Sequence, residues 1–478
     1  MFWSATAQRV LLAVIVVLFC VRNLPWHLDD FDQAKQAYVS FEMVTRGNWW
    51  FQHTPSQNIA TKPPLAGWIS AALFLTTRWW DGAWRVPSLV SGLLVLLALA
   101  RLGNRLWPGI GGSIAAGVFG LNLMAPRLAT LVRTDMLLTA FIFFAGMVVY
   151  EKVRSGSPWR ARERWTIFLL ILGSMLTKGP IAYAFLLPGL VVFWWICRAR
   201  RVHANAWSGA WTWFGPLLFF VAWAVAGIFG NREFYEQVVL KEFLGRFTVG
   251  EQAVHRNQPV YFYLTHILRD FAPWTFLLIA LPFLKSVRRM LLENRTALWL
   301  VCWSVGGLVV MSVVPSKRPD RIFPVVPPLC LLLVHGLREL HTSSWPAKRV
   351  VAVCIAVALF ASGGYTVFNI VKDYRSHEGL LAEFGARVRE RAQQNGLRYL
   401  VTTSKDEGML LYLRKAEFSK PRDAIAAWKA GEIDALVLNK KDFENGLSAL
   451  APWLVADQSG VGASKNSQYF FVVRNQPQ

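Results

Sequence analysis

The side chains best suited to chemistry begin with a group of acids that directly follows the first apolar stretch. Asp29, Asp30 and Asp32 are followed by Lys35, and Lys62 comes later in a Lys-Pro-Pro element. The chain has apolar segments long enough to span a membrane. Acids on the outer side of a membrane contribute little to the orientation of its helices, so orientation does not explain this group. One of Asp29 and Asp30 is expected to be the N-cap of a helix. The whole group is unusual for a passive loop and marks it as a candidate site.

A second candidate acid, Asp135, directly precedes another apolar run. A carboxylate at the edge of a membrane segment is costly unless it faces a cavity or a partner. The simpler alternative is an interfacial pair with Arg133 or Arg127. Lys178 lies in a Thr-Lys-Gly-Pro turn, where a functional lysine and one that merely extends to the membrane surface are equally consistent with the pattern.

Two later segments, 242–263 and 316–321, carry charges between aromatic and apolar residues. Their candidate side chains are Glu242, Arg246, His255, Lys317, Arg318 and Arg321. The second segment places cations on the outer face, against the positive-inside trend. A phosphate-bearing lipid accounts for them because guanidinium groups hold phosphate oxygens through paired hydrogen bonds. Contact with anionic headgroups in general is the alternative.

The elements that must position these residues are membrane helices. Of the 478 residues, 54% are hydrophobic and 17% are charged, whereas a soluble domain has roughly a quarter charged residues. Long apolar runs occupy residues 1–368, with an outer loop at 27–64, and residues 369–478 are more polar. We therefore expect a membrane all-α domain of about 11 to 13 transmembrane helices, followed by a small soluble α/β domain.

The spans are predicted from apolar length, and their orientation from charge. They are expected to begin near Val10, Val86, Ser113, Met136, Trp165, Ile181, Trp211, Ala272, Ala297, Ile322 and Val350. The basic connections 152–164, 198–201, 285–295 and 338–349 are expected on the cytoplasmic side, with the amino terminus. The candidate loops and the C-terminal domain then lie outside. Leu65–Thr77 is short for a crossing and predicts an interfacial or re-entrant helix.

The C-terminal segment alternates between helix and strand patterns. We expect a helix at Glu378–Gln394, a strand at Tyr399–Thr402, a helix at Ala424–Lys429 and strands at Ala435–Leu438 and Tyr469–Val473. No glycine-rich phosphate loop opens any of these helices, so no cofactor is expected.

Other classes are disfavoured by where the unusual residues lie. The net charge of +22 comes from short clusters between apolar segments, which membrane topology explains better than nucleic-acid binding does. The cysteines lie in apolar segments at no metal-ligand spacing: Cys20, Cys197, Cys302, Cys330 and Cys354. Neither disulfides nor a zinc site is expected. Val10–Cys20 is expected to be an uncleaved first crossing.

Several short motifs, taken in order, resemble a known family. They are Asp32-Gln33-Ala34-Lys35 leading to Glu42-Met43, Gly47-Asn48-Trp49, Lys62-Pro63-Pro64-Leu65, Arg133-Thr134-Asp135, Lys178-Gly179-Pro180, Arg246-Phe247, Pro273-Trp274, and Ser316-Lys317 ahead of Pro324 and Pro327-Pro328. The family comprises membrane-embedded glycosyltransferases of the GT-C fold that use a polyprenyl-phosphate sugar, and includes protein O-mannosyltransferases and bacterial lipid A aminoarabinose transferases. The sequence departs from the family pattern at two places. Gln33 replaces a usual glutamate. The histidine expected before Arg246 is absent, and Glu242 lies nearby.

The resemblance implies roles for individual residues. Asp32 corresponds to the catalytic carboxylate and Asp135 to a second outer acid. Lys62 and Arg246 correspond to cations that contact the donor phosphate. Lys317 and Arg318 are expected to add further phosphate contacts. The secondary candidates are Asp30, Lys178, Glu242, His255 and Arg321.

The implied reaction is inverting transfer of a sugar from polyprenyl (undecaprenyl) phosphate to a hydroxyl on lipid A, a glycan or a protein. The resemblance also implies that the reaction takes place at the outer face of a bacterial inner membrane, with the C-terminal domain in the periplasm. The lipid-linked donor is already activated, so no nucleotide is required; a divalent metal is left open. The chief alternative is a transporter or flippase of an anionic lipid-linked substrate. Transporters tend to place charges at mid-membrane in broken helices, whereas these charges concentrate in loops on one face.

Overall fold

The computed structural model describes residues 4–202, 205–246, 258–342, 346–375, 380–404, 406–450, 452–459 and 468–475. The chain forms two compact units. The first consists of Met1–Arg22, Thr61–Ala66 and Arg85–Val367, and the second of Asn23–Ala60, Gly67–Trp84 and Phe368–Gln478. Most of the segment 27–64, up to Ala60, is therefore part of the same unit as the C-terminal segment. We refer to the first unit as the membrane unit and to the second as the loop unit.

Helices account for nearly all of the structure up to Arg375. They are α1 (Ala5–Val21), α2 (Phe31–Arg46), α3 (Leu65–Thr77), α4 (Val86–Leu106), α5 (Gly111–Gly120), α6 (Ala125–Thr130), α7 (Asp135–Ser155), α8 (Ala161–Lys178), α9 (Ile181–Ala199), α10 (Ala210–Gly230), α11 (Arg232–Phe234), α12 (Phe262–Asp270), α13 (Trp274–Ala280), α14 (Lys285–Glu293), α15 (Arg295–Val313), α16 (Val326–Thr342) and α17 (Ala347–Arg375). A π-helix (Tyr235–Phe243) follows α11, and 3₁₀ turns lie at Leu244–Arg246, Leu281–Phe283 and Pro319–Val325.

Seven helices in the described residues are long and apolar enough to cross a membrane. They are α4, α7, α9, α10, α15, the continuous segment Pro319–His341, and α17. Shorter apolar helices lie at Ala5–Val21, Leu65–Thr77, Gly111–Gly120 and Trp274–Phe283. Every predicted span overlaps a helix or begins beside one. The α8 span carries a charged first turn because its helix begins at Ala161 rather than Trp165.

Glycines let the membrane helices approach closely. A Cβ on Gly103 of α4 would lie 2.3 Å from the Gly111 carbonyl oxygen of α5. A Cβ on Gly306 of α15 would lie 2.7 Å from the Gly189 backbone nitrogen of α9. Small residues at such crossings bring backbones into van der Waals contact, which is the main source of helix association in lipid. The membrane unit is thus packed tightly enough to hold polar side chains in fixed positions.

The loop that follows α2 is organised around the buried carboxylate of Glu42 on that helix. This carboxylate accepts from the backbone N–H of His53 at 2.9 Å and from the side-chain amide of Asn48, and the His53 ring nitrogen Nδ1 lies 3.1 Å from it. Glu42 has no exposed surface. A buried charge needs such partners, so Glu42 fixes the turn after α2, which ends at Gly47 with a φ of 76°.

The C-terminal part of the loop unit is a small α/β domain. Its elements are α18 (Leu380–Gln394), β1 (Tyr399–Val401), α19 (Gly408–Leu413), α20 (Pro421–Lys429), β2 (Ala435–Asn439), α21 (Lys440–Leu450), β3 (Trp453–Gln458) and β4 (Tyr469–Arg474). The strand order is β1-β2-β4-β3, with β1 parallel to β2 and the other neighbours antiparallel. Trp428 packs with Leu436 and Val472 on one face of the sheet.

The predicted C-terminal elements are all present, and three were missed. The start of the first predicted helix, at Glu378, lies outside the described residues. The helix predicted from Ala424 begins earlier because Pro421 occupies its first position, where the missing N–H costs nothing. The missed elements are α19, α21 and β3. α19 is almost entirely buried and therefore lacks an amphipathic period.

Candidate active site

The membrane unit contains a buried ion pair between Asp135 and Lys178. The Nζ of Lys178 donates directly to Oδ1 of Asp135, and both side chains are more than nine-tenths buried. Asp135 is the first residue of α7 and Lys178 the last of α8. A carboxylate at a helix amino terminus and an ammonium at a carboxyl terminus are each favoured by the helix dipole. The ends of two adjacent helices therefore position this pair.

A second ion pair involves Arg133, which precedes α7. It donates to Oδ2 of Asp320 at 2.7 Å, and Arg318 lies 3.7 Å from the same oxygen. Arg321 donates to the Ser316 carbonyl oxygen at 2.8 Å. The predicted alternative partner of Asp135, Arg133, thus has Asp320 as its ion-pair partner.

The two pairs belong to one electrostatic cluster. The charges of Lys62 and Arg133 act on Asp135, and those of Arg321 and Asp320 act on Lys178. Within the described residues of the membrane unit, the cluster has more cations than carboxylates. The cations are Lys62, Arg133, Lys178, Arg318 and Arg321, and the carboxylates are Asp135 and Asp320. Such an excess of positive charge in a poorly hydrated setting favours binding of an anion.

Two further residues border this cluster. The Lys317 ammonium donates to the Gln258 carbonyl oxygen at 3.0 Å, and burial lowers the pKa of Lys317. Tyr263 on α12 is fully buried, within electrostatic range of Asp320 and Arg321. Burial raises the pKa of Tyr263 to about 12, so its hydroxyl stays protonated at neutral pH. Sequence reasoning missed Tyr263, because a tyrosine in an aromatic segment carries no specific signal.

The remaining candidates of the 242–263 segment are Glu242, Arg246 and His255. Glu242 lies in the π-helix, a geometry often found near functional sites. Phe243, in the same helix, packs against Gly179, the residue after Lys178. A Cβ on Gly179 would lie 2.5 Å from the Phe243 ring. Arg246 ends the 3₁₀ turn, and its side chain is outside the description. His255 lies outside the described residues.

The loop unit holds the three aspartates of the first loop at the start of α2. Asp30 is the N-cap, since its carboxylate accepts from the Gln33 N–H at 3.1 Å, as expected for one of the first two acids. Asp29 accepts from the Tyr412 hydroxyl at 2.6 Å. Asp32 lies in the first turn of α2 and is half-buried. The three acids therefore have different environments, which the sequence alone did not separate.

The side chains around Asp32 include one that sequence reasoning did not single out. Glu407 precedes α19, is 7% exposed, and its charge interacts with those of Asp32 and Lys35. Burial raises the pKa of Glu407 to about 7; the Asp32 carboxylate adds to this rise and the Lys35 ammonium opposes it.

No group of three or more His, Cys, Asp or Glu side chains suited to a metal ion occurs among the described residues.

The arrangement defines a polytopic membrane protein with a buried, cation-rich cluster and a small α/β domain. A family model described as the Alg9-like mannosyltransferase family matches residues 68–402. The chain therefore belongs to this family, and the resemblance to GT-C glycosyltransferases is confirmed.

Curated relatives are similar over much of the chain. The Erwinia tasmaniensis undecaprenyl phosphate-alpha-4-amino-4-deoxy-L-arabinose arabinosyl transferase is 26% identical over 338 residues, which cover 69% of this chain and 59% of that protein. The Pseudomonas aeruginosa protein of the same name is 28% identical over 316 residues, covering 64% and 55%. The chain thus spans little more than half the length of these relatives.

Solved structures share the fold. ArnT from Cupriavidus metallidurans bound to undecaprenyl phosphate matches with a TM-score of 0.73 and 19% identity, covering 99% of this chain and all of that one. An Archaeoglobus fulgidus oligosaccharyltransferase matches with a TM-score of 0.55 and 12% identity, covering 97% and 72%. The expected membrane all-α GT-C fold with a small C-terminal α/β domain is confirmed. The chain is a multi-pass inner-membrane protein.

Proposed function

We propose that this protein is an inverting glycosyltransferase that moves a sugar from polyprenyl (undecaprenyl) phosphate to a hydroxyl of lipid A, another glycan or a protein. The observation that carries the proposal is the buried, cation-rich cluster around Asp135 and Lys178. Membership of a sugar-transferring family and the names of the curated relatives support the reaction class.

The reaction requires a base for the acceptor and a stabilised leaving group. Asp32 removes the proton from the acceptor hydroxyl, whose oxygen then bonds to the anomeric carbon from the face opposite the phosphate. The bond from that carbon to the phosphate oxygen breaks, and its electron pair leaves with the lipid phosphate. A positioned carboxylate contributes typically 10²–10⁴-fold to such a rate. In this role Asp32 must be ionised before the acceptor arrives.

The cations have the complementary task. Lys62 and Arg246 contact the donor phosphate, assisted by Lys317, Arg318 and Arg321. The phosphate gains negative charge as it departs, and preorganised cations in a poorly hydrated site stabilise that charge more than water does. Asp135 orients the sugar or acceptor, and its ion pair with Lys178 fixes its position. No divalent metal is needed in this scheme.

The proposal includes an orientation. The amino terminus is cytoplasmic, and residues 369–478 form a periplasmic domain, because the basic connections between membrane helices belong on the cytoplasmic side. The candidate residues then act at the outer face of the bacterial inner membrane. Cysteine accessibility to a membrane-impermeant reagent tests this, with labelling expected at Ser419→Cys and protection at Ser155→Cys.

The activity is tested in cells that lack the chromosomal copy and carry the protein or a variant. Mass spectrometry of their envelope lipids and glycoproteins identifies any sugar whose addition depends on the protein. We expect Asp32→Asn to abolish this addition while the purified variant still binds undecaprenyl phosphate. Transfer at the normal rate by Asp32→Asn contradicts the assignment of the base. A lipid-linked sugar that moves between membrane leaflets without transfer supports a flippase instead.

Asp30→Asn is the matched control. It removes the same charge two residues earlier, yet asparagine caps helices about as well as aspartate does. We expect its transfer activity to stay close to that of the unaltered protein. Loss in Asp30→Asn and retention in Asp32→Asn assigns the base to Asp30 instead.

A further inference from the structure

The C-terminal domain holds the segment that leads into α2 through the hydroxyl of Tyr412. This hydroxyl accepts from the Leu28 backbone N–H at 2.7 Å and donates to Oδ1 of Asp29 at 2.6 Å. A hydroxyl has one proton and two lone pairs, so the two bonds use its donor and one acceptor site together. Tyr412 is only 8% exposed, and Leu28 is buried. One side chain thereby fixes both the backbone and the first acid of the loop.

The backbone of α19 reinforces this contact. A Cβ on Gly408 would lie 2.4 Å from the carbonyl oxygen of Leu28. Real Cβ atoms do not approach a backbone oxygen so closely, so glycine is needed at this position. The Leu28 residue is therefore held at its carbonyl side by Gly408 and at its N–H by Tyr412.

Neighbouring residues of the same domain contact the rest of the loop. The Tyr38 hydroxyl donates to the Ala416 carbonyl oxygen, and Arg46 forms an ion pair with Glu417. These two contacts lie about two helical turns apart on α2, after the segment that Tyr412 holds. The domain thus follows α2 along its length instead of touching it at one point.

Geometry links Tyr412 to the acids beyond Asp29. Asp30 caps α2 and Asp32 lies in its first turn, so both follow the held segment within four residues. A helix rises ~1.5 Å per residue, and a rigid first turn transmits any displacement of its entry point to Asp32. The Glu407 carboxyl, directly before Gly408, is buried and interacts with Asp32 electrostatically.

We propose that Tyr412 is a positioning residue: through Leu28 and Asp29 it sets the orientation of the α2 amino terminus and hence of Asp32. The inference rests on the proposed function, in which Asp32 is the base. It assigns the C-terminal domain a part in catalysis beyond that of a docked appendage. Tyr412 touches no reacting atom, so its effect is on turnover through geometry.

Tyr412→Phe removes the hydroxyl and leaves the ring. Its matched control is Tyr399→Phe, since Tyr399 in the same domain is equally buried and donates only to the Leu413 carbonyl oxygen, at 3.2 Å. Transfer is measured with purified protein, using the polyprenyl-phosphate sugar fraction extracted from cells lacking the protein as donor and their membranes as acceptor. Small misplacements of catalytic groups cost up to ~10²-fold.

We expect kcat of Tyr412→Phe to fall roughly 10- to 100-fold with the donor KM unchanged, and Tyr399→Phe to match the unaltered protein. Hydrogen exchange should rise at residues 28–36 only in Tyr412→Phe. Equal kcat in the two variants overturns the inference, as does a change confined to donor KM. If Tyr412→Phe does not fold, Asp29→Asn and Asp29→Ala replace it. The asparagine keeps an acceptor oxygen for the Tyr412 hydroxyl, so Asp29→Asn should retain transfer. Equal loss of transfer in both variants overturns the inference.

Asp32→Asn in the same assay separates the two levels of the proposal. An active Asp32→Asn contradicts the base assignment and removes the premise of the inference. An inactive Asp32→Asn together with a fully active Tyr412→Phe overturns the inference alone. Undecaprenyl phosphate binding, measured for each variant, shows whether the membrane unit is intact.

Discussion

The ammonium of Lys178 contacts the carboxylate of Asp135 at the junction of two helix ends, with both groups almost fully removed from solvent. Each charge depends on the other in such surroundings, because the loss of hydration is compensated mainly by the partner. The pair therefore makes the folding of α7 and α8 dependent on each other. It also fixes the position of the second acid proposed to act on the substrates.

Breaking this pair from one side should be costly. Asp135→Asn or Lys178→Met leaves one member of the buried pair without its hydrogen-bonded partner, and each is expected to lower the free energy of unfolding by about 3 to 5 kcal/mol. The double variant should cost less than the sum of the two, because no lone charge remains. Denaturant unfolding of the protein in detergent, arranged as a double-mutant cycle, measures these energies.

An exposed ion pair in the same unit provides the control. Arg289 and Glu293 on α14 form a solvent-exposed pair at 2.9 Å. Arg289→Ala is expected to change stability by less than ~1 kcal/mol. A cost for Asp135→Asn no greater than this would show that the buried pair is not structurally important.

The carboxyl of Glu407 should make stability depend on pH. Its pKa is about 7 in the folded protein against an ordinary value of 4.5, so the folded state binds the proton more tightly. This contribution to stability is full below pH 4.5, declines as the pH rises from 4.5 to about 7, and is lost above about pH 7. Glu407→Gln removes the titration. Thermal unfolding at several pH values should therefore show the unaltered protein losing stability relative to the variant as pH rises.

Glu432 supplies the comparison, because it lies in the same domain and is exposed. Glu432→Gln is expected to follow the pH dependence of the unaltered protein. Parallel curves for the unaltered protein and Glu407→Gln would rule out a raised pKa at Glu407.

Removing the Glu42 carboxylate should loosen the loop that follows α2. Glu42→Ala leaves the His53 N–H and the Asn48 amide, both partly buried, without their shared acceptor. A fully buried donor left unsatisfied costs about 1 to 3 kcal/mol, which is the upper limit for each of them. Limited proteolysis should cut residues 47–60 faster in this variant. Thr45→Ala on the same helix should leave the rate unchanged, since Thr45 bonds only to the α2 backbone. Equal cleavage of both variants would contradict a central role for Glu42.

Two glycines of the C-terminal domain should respond to alanine in opposite directions. Gly408→Ala forces a methyl group against the Leu28 carbonyl oxygen and is expected to cost about 1 to 3 kcal/mol. Gly446→Ala on α21 meets only Ile425 at 3.8 Å and should stabilise the helix by up to ~1 kcal/mol. Thermal unfolding of the two variants measures the difference. Equal shifts in melting temperature would contradict the close contact between α19 and the loop.

The membrane helices were the most predictable part of the fold, because apolar length is a local property of the chain. The spans expected from Val86 and Ile181 begin at those residues. The short predicted segment Leu65–Thr77 also has the bounds of α3. Lipid requires each spanning segment to satisfy its own backbone, so tertiary contacts shift these boundaries little.

Partner choice at the site was not predictable in the same way. The sequence offered Arg133 and Arg127 as partners for Asp135, since both lie close in the chain, but the partner is Lys178, 43 residues away. Glu407 and Tyr412 gave no signal, because their significance depends on how α19 packs against the loop. The candidate acids themselves were found from composition, since charges between apolar segments are rare and must be explained.

The hydrogen bond between Leu28 and Tyr412 joins residues 384 positions apart. At roughly 5 to 20 residues per second, the ribosome needs roughly 20 to 80 s to make the intervening chain. During that interval the first loop has left the ribosome without the side chain that holds it. A nascent chain thus carries its acids in an unassembled arrangement, and the proposed transfer activity awaits synthesis of the segment that contains Tyr412.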